Sequence, residues 1–342
     1  LPFILLDKIF NNNKNLLYKI VGGISLRNGV ICLGEALIDL VPQDNNNNLY
    51  EKNAGGAPAN VAVGLSRLGI KSSFLGMVGD DKLGHFLRET LSNNGVNISH
   101  MQMTKAAKTG VALVDIDENG ERSFEFIVNP SADTLLSEEH IDEAFIEKNK
   151  ILHFGSLSLI NESSAQATMS AISVAKKHDL LVSFDPNIRY NLWKNEEDAR
   201  NTINSVLEYV DVLKVTDEEL FFLTNEKELT HAINKLANHK IDLIAVTYGN
   251  KGSKLFIREG VAELDALNVS ALDTTGAGDA YTAGLLYCVN ELLHGLDGLS
   301  VTATEHIGRF ANIAGALSTS SKGAMKALPT LDQVHNILRN HE

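Results

Sequence analysis

Cysteine is nearly missing from this chain. Cys32 and Cys288 are the only two in 342 residues, and both lie in apolar runs. Two thiols cannot build a disulfide framework, and they fit a reducing, cytoplasmic setting. Positive charge is scarce as well: 30 Lys and Arg stand against 43 Asp and Glu, a net charge of −13. That balance repels nucleic acid and anionic membrane surfaces, so neither is an expected partner. A phosphate ligand would need local binding groups, such as backbone amides, a metal or a few placed cations. No run approaches the ~18–20 apolar residues that cross a bilayer. Leu1 to Gly29 lacks the basic start and small-residue cleavage site of a signal peptide. Its Asn11, Asn12, Asn13 and Asn15 interrupt an apolar helix pattern. Residues 1–29 are therefore expected outside the fold and residues 30–342 inside it. His85, His140, His153 and His306 show no metal-ligand spacing and read as surface or packing residues.

What is present is a core: 44% of the residues are apolar. Short apolar runs at Val30 to Leu33, Ser73 to Val78, Ile151 to Phe154, Leu181 to Phe184, Val212 to Val215 and Leu243 to Thr247 read as strands. Helical periods separate them, as at Ala57 to Leu68 and Leu83 to Leu91. This alternation predicts an α/β fold with a central, mostly parallel sheet. Ligands then bind beyond the carboxyl ends of the strands. Two segments break the pattern, at about 36–53 and 109–129. Each reads as an antiparallel hairpin, the second around Asn119-Gly120. Together they predict a small β-sheet that could act as a lid. The part after Gly276 reads as helical, with Ala277 to Leu293, His306 to Leu317 and Leu331 to Leu338.

Two glycine-rich stretches carry chemistry. The later one is Asp273-Thr274-Thr275-Gly276-Ala277-Gly278-Asp279, leading into a helix. The first amides of a helix are unpaired and carry its positive end, so this is an anion hole suited to phosphate. It lacks the Gly-Lys-Ser/Thr of a Walker loop and the order of a dinucleotide fingerprint. Asp279 sits in the hole, where the helix end should favour its ionised form. Ionised, it could take the proton of an attacking hydroxyl. The plainer alternative is an ordinary helix cap. The earlier stretch is Gly55-Gly56-Ala57-Pro58-Ala59-Asn60. Its glycines permit close approach, and Asn60 offers a donor and an acceptor for a polyhydroxylated ligand.

In this order and separation the two stretches resemble the signatures of the ribokinase-like (PfkB) carbohydrate kinases, from about Val30 to the C-terminus. The resemblance implies a three-layer ribokinase-like fold with a β-sheet lid, and a dimer formed through the lid. It implies ATP-dependent transfer of a phosphoryl group to a sugar, with Asp279 as base and Gly276, Ala277 and Gly278 as anion hole. Asp39, Gly55, Gly56 and Asn60 would hold the sugar, with Phe126 and Arg189 beside it. A solvated strand charge is the plain alternative for Asp39, and a surface salt bridge for Arg189. The Phe184-Asp185-Pro186-Asn187-Ile188-Arg189 segment is similar to the fructokinase branch. Asn187, Lys214, Thr216, Glu219, Thr247, Gly249, Gly252 and Asn312 match nucleotide-side positions. Glu219 would hold Mg²⁺ through water, although Thr216 stands where many relatives have Asn. Asp273 and Thr275, with Ser318, Ser321 and Gly323, match a K⁺ site, and Ala327 stands where some relatives add a serine. Fructose is the favoured acceptor. Aminoimidazole riboside and 2-keto-3-deoxygluconate are the alternatives, and a silent scaffold is the alternative from another class.

Overall fold

Val-Ile-Cys-Leu, strand β1 (Val30–Leu33), is apolar on both faces and fully buried. Such a strand belongs in the middle of a sheet covered on both sides. The computed structural model, which describes residues 27–43, 47–116 and 122–340, places it there. Its side chains divide by alternation. Val30 and Cys32 join a core with the helices Ala57–Arg67, Ala277–Glu291 and Val301–Ser318. Ile31 and Leu33 join a second core with the helices Glu162–Lys177 and Glu196–Val206. The result is three layers.

The strands in chain order are β2 (Leu37–Pro42), β3 (Tyr50–Gly55), β4 (Ser72–Gly79), β5 (Asn97–Thr104), β6 (Val111–Ile116), β7 (Arg122–Phe126) and β8 (Ile151–Gly155). They continue with β9 (Leu181–Asp185), β10 (Val212–Thr216), β11 (Leu243–Thr247), β12 (Ser253–Ile257) and β13 (Gly260–Leu264). The central sheet runs β13-β12-β11-β10-β9-β8-β1-β4-β5. It is parallel except where β12 meets β11 and β13. Chain order reverses around β1, which lies between β4 and β8. That crevice is where the fold leaves room for a ligand.

A separate sheet, β3-β2-β6-β7, joins the two expected hairpins through a parallel β2–β6 pairing. The Asn-Gly turn at 119–120 and residues 44–46 lie outside the described residues, as do residues 1–26 of the expected extension. Gly29 is already bonded to the fold. Its carbonyl accepts N–H bonds from Lys150 (2.9 Å) and Ile151 (3.2 Å).

Three elements depart from the sequence reading. β5 was not anticipated, because its Asn-Ile-Ser-His-Met-Gln-Met-Thr is that of a half-exposed edge. The β12–β13 hairpin was missed as well. The helix before the C-terminal turn starts at Val301 rather than His306. Ser300 caps it by accepting the Ala303 N–H, and its first turn carries threonines that weaken the helical signal.

Candidate active site

Gly276 ends the loop in the left-handed region (φ 76), and the helix Ala277–Glu291 begins behind it. Its side of the turn is closed, since a Cβ there would lie 3.0 Å from the Cβ of Ala324. Gly278 is open except for one neighbour, the Lys214 ammonium, 3.2 Å from where a Cβ would be. Asp279 stands in the first helical turn but does not cap it. Its Oδ2 accepts a hydrogen bond from Asn60 Nδ2 at 2.7 Å, across 219 residues of sequence.

Asp279 takes up its proton at higher pH than a helix end alone would set, while staying mostly ionised at neutral pH. Burial pushes its carboxyl up to about 6, and Asp185 pushes the same way. The Asn60 bond and the Lys214 and Arg189 cations pull it down without cancelling the burial. A helix end alone offers ~0.3–1 kcal/mol, too little to offset desolvation in a closed site.

Lys214, in the middle of β10, pairs with Asp185 at 3.0 Å, and both are buried. Thr282 Oγ1 donates to the same Asp185 oxygen at 3.0 Å. Burial pulls the ammonium down, but Asp185, Glu219 and Asp279 outweigh it, so Lys214 stays charged.

Two clefts meet at this point. The first, about 270 Å³, lies between the small sheet and the central one. Asp39, Gly56, Asn60, Phe126, Asn187, Arg189, Gly276, Gly278 and Asp279 line it. The second, about 580 Å³, is lined by Lys214, Thr216, Thr247, Gly249, Gly252, Ala277, Gly278 and Asn312. Lys214, Thr216, Thr274 and Gly278 border both. The arrangement suits two substrates that exchange a charged group at the junction.

Several expected residues sit differently from their expected roles. Gly55 does not line the first cleft. It makes room for Asp39, whose carboxylate would lie 2.1 Å from a Cβ at 55. Asn187 faces the first cleft, not the second, in a left-handed conformation (φ 44). Arg189, by contrast, faces the first cleft, the side expected for it, over the Phe124 ring at 5.0 Å, and shows no carboxylate partner among the described residues. Glu219 lines neither cleft. Its Oε2 accepts the Thr216 N–H and its Oε1 the Ile188 N–H, both at 2.9 Å. Asn312 borders the second cleft, but Ser253 donates to its Oδ1 (3.0 Å) and its Nδ2 donates to the Asp265 carbonyl (3.1 Å).

Asp273 joins two loops, since its carboxylate accepts N–H bonds from Thr275 (2.8 Å) and Gly323 (2.9 Å). Ser318 ends the helix Val301–Ser318, and Ser321 is exposed in the turn that follows. Sequence reasoning missed Glu35, Leu37, Phe124, Leu157 and Thr274 in the first cleft, and Tyr281 and residues 266–269 in the second. Glu35 alone carried a usable signal, as a carboxyl just past the carboxyl end of a central strand.

The pfkB family carbohydrate kinase model matches residues 27–331. A relative named "Probable fructokinase-6, chloroplastic" from Arabidopsis thaliana is 41% identical over 90% of this chain and 82% of its own. A crystal structure of a fructokinase double mutant from Vibrio cholerae O395, in fructose-, ADP- and potassium-ion-bound form, is similar with a TM-score of 0.83. It is 35% identical, covering 91% of this chain and 98% of that one. The fructokinase of Xylella fastidiosa with bound ATP superposes with a TM-score of 0.87 at 33% identity, over 92% and 99% of the two chains. Fold, paired clefts and family model agree: this chain belongs to the pfkB family of carbohydrate kinases.

Proposed function

We propose that the protein is an ATP-dependent fructokinase that phosphorylates O6 of D-fructose. The observation that carries this reading is the Asn60–Asp279 hydrogen bond at the junction of the two clefts. It holds one buried carboxylate where an acceptor hydroxyl and a phosphoryl group would meet. Relatives named fructokinases, and neighbours holding fructose or ATP, supply the substrate choice.

The chemistry follows from the side chains. Asp39 and Asn60 hold sugar hydroxyls, with Gly56 permitting close approach and Phe126 packing on the ring. Asp279 accepts the O6 proton as O6 bonds to the γ-phosphorus and the bond to the ADP oxygen breaks. The amides of Gly276 and Gly278, with Lys214 and Arg189, hold the charge on the transferring group; the Ala277 N–H, expected to join them, is donated to the Thr274 carbonyl at 3.2 Å. The open side of Gly278 fits a phosphate, because a Cβ there would crowd only Lys214. Thr216, Thr247, Gly249 and Gly252 line the nucleotide's cleft. Mg²⁺ enters with ATP as part of the substrate. Among the described residues no group of three or more His, Cys, Asp or Glu side chains could hold it directly, and each Glu219 oxygen, accepting one backbone N–H, keeps a lone pair for a water of the ion's shell. Asp273, which already ties Thr275 to Gly323, would with Thr275, Ser318, Ser321 and Gly323 hold a K⁺ ion, which would stiffen the anion-hole loop.

The small sheet would serve as lid and dimer contact, with the exposed apolar Leu49 and Ile127 flanking its edge strands β3 and β7. Among the described residues no helix is long and apolar enough to cross a membrane. The unpaired cysteines fit a reducing compartment, which we take to be the cytoplasm.

A coupled ADP-release assay tests the reading, with MgATP and fructose, ribose, 2-keto-3-deoxygluconate, adenosine or aminoimidazole riboside, with and without K⁺. Fructose should turn over well above the rest. Preference for the riboside would keep the mechanism and replace the substrate. No turnover on any acceptor, with ATP still bound, would support a scaffold.

A further inference from the structure

Glu35 is only 5% exposed, yet it lines the sugar cleft. Its Oε1 accepts the Ala57 N–H at 3.0 Å. Its Oε2 is buried and has no partner. Asn60, on the same cleft, leaves a second oxygen in that state. Its Nδ2 must face Asp279, because a carboxylate can only accept. Its Oδ1 is thereby turned away, buried and unpartnered. Two such oxygens are costly beside a cavity unless a ligand satisfies them. A single ligand hydroxyl can serve both only if one of them donates, and an amide oxygen never does.

The surroundings select Glu35 as the donor. Asp133 from the short helix Ala132–Leu135 and Asp279 from its own helix both oppose a charge on it. Asp39, Arg189 and Lys214 complete the charged lining, and neither cation is bonded to Glu35. Burial first, and these carboxylates after it, push the carboxyl up to about 8.

We propose that Glu35 binds the acceptor sugar as a neutral carboxylic acid, its Oε2–H donated to a non-reacting hydroxyl whose own proton goes to Asn60 Oδ1. Glu35 is then a specificity residue, selecting a group that both donates and accepts. The proposal rests on the sugar-kinase reading above. It also ties sugar occupancy to the base, because the same Asn60 holds Asp279.

The test compares wild type, Glu35→Gln and Glu35→Ala by initial rates on fructose and ATP across about pH 6–10. The Gln amide can donate where the acid does and accept from Ala57. It should keep kcat/KM for fructose within about threefold and lose the alkaline fall near pH 8. The Ala variant should raise the fructose KM roughly tenfold, the size of one buried hydrogen bond, with the ATP KM unchanged. A Gln variant as impaired as Ala, or one that keeps the alkaline fall, overturns the proposal. The infrared difference between wild type and Glu35→Gln decides independently of turnover or of the Ala variant's folding. A protonated carboxyl band should be present near pH 7 and gone near pH 10, and its absence near pH 7 overturns the proposal. A wild type inactive on every sugar defeats the kinase reading instead, and the infrared band still reports the state of Glu35.

Discussion

At the residue scale the decisive group is Asp279, where two effects oppose each other. The helix end favours its charge, and burial disfavours it more, leaving the carboxyl at about 6. A base must be ionised, so kcat/KM should fall as pH drops below about 6, an acid limb separate from the alkaline fall near pH 8 assigned to Glu35. A profile flat down to pH 4.5 would remove Asp279 as the base. Asp279→Asn should lose ~10²–10⁴ in kcat. The same variant should be more stable at neutral pH. A carboxyl whose pKa is raised on folding favours the fold below its ordinary pKa of 3.8, and that benefit is lost as pH rises through about 6. Removing the ionised form should therefore gain on the order of 2 kcal/mol near pH 7, read by denaturant unfolding. Near wild-type turnover in that variant would sink the mechanism.

At the element scale Glu219 shows a sequence match acquiring another job. Thr216 caps the helix Asp217–Thr224, and Glu219 closes the capping box. Its second oxygen reaches the Ile188 amide, one residue from Arg189. Glu219→Ala should therefore cost about 1–2 kcal/mol of stability through the lost cap. It should also raise the sugar KM, because the turn carrying Asn187 and Arg189 loses its tie. A variant that unfolds earlier with unchanged KM would confine Glu219 to capping. The central strands were legible because buried parallel strands are continuous apolar runs. β5 was not, because an edge strand half open to water need not be apolar.

At the scale of the whole molecule, the small sheet lies across the mouth of the crevice made by the strand-order reversal at β1. If two molecules pair through these sheets, they also cover the edges at β3 and β7. Sedimentation velocity at micromolar concentration should give a dimer, and Leu49→Lys combined with Ile127→Lys should give a monomer. A wild-type monomer would reject the pairing.

The alternation of strands and helices, the two glycine-rich loops and the placing of Asp279 in the first turn of its helix were all determined by the sequence alone. These features rest on local periodicity and on backbone conformations that glycine permits. Tertiary structure decided which groups share a cavity and what charge they carry. It set Asn60 against Asp279, closed Gly55 over Asp39, turned Glu219 away from both clefts and buried Glu35 beside two other carboxyls. Burial and desolvation arise from elements distant in the chain, and no local pattern of residues encodes them.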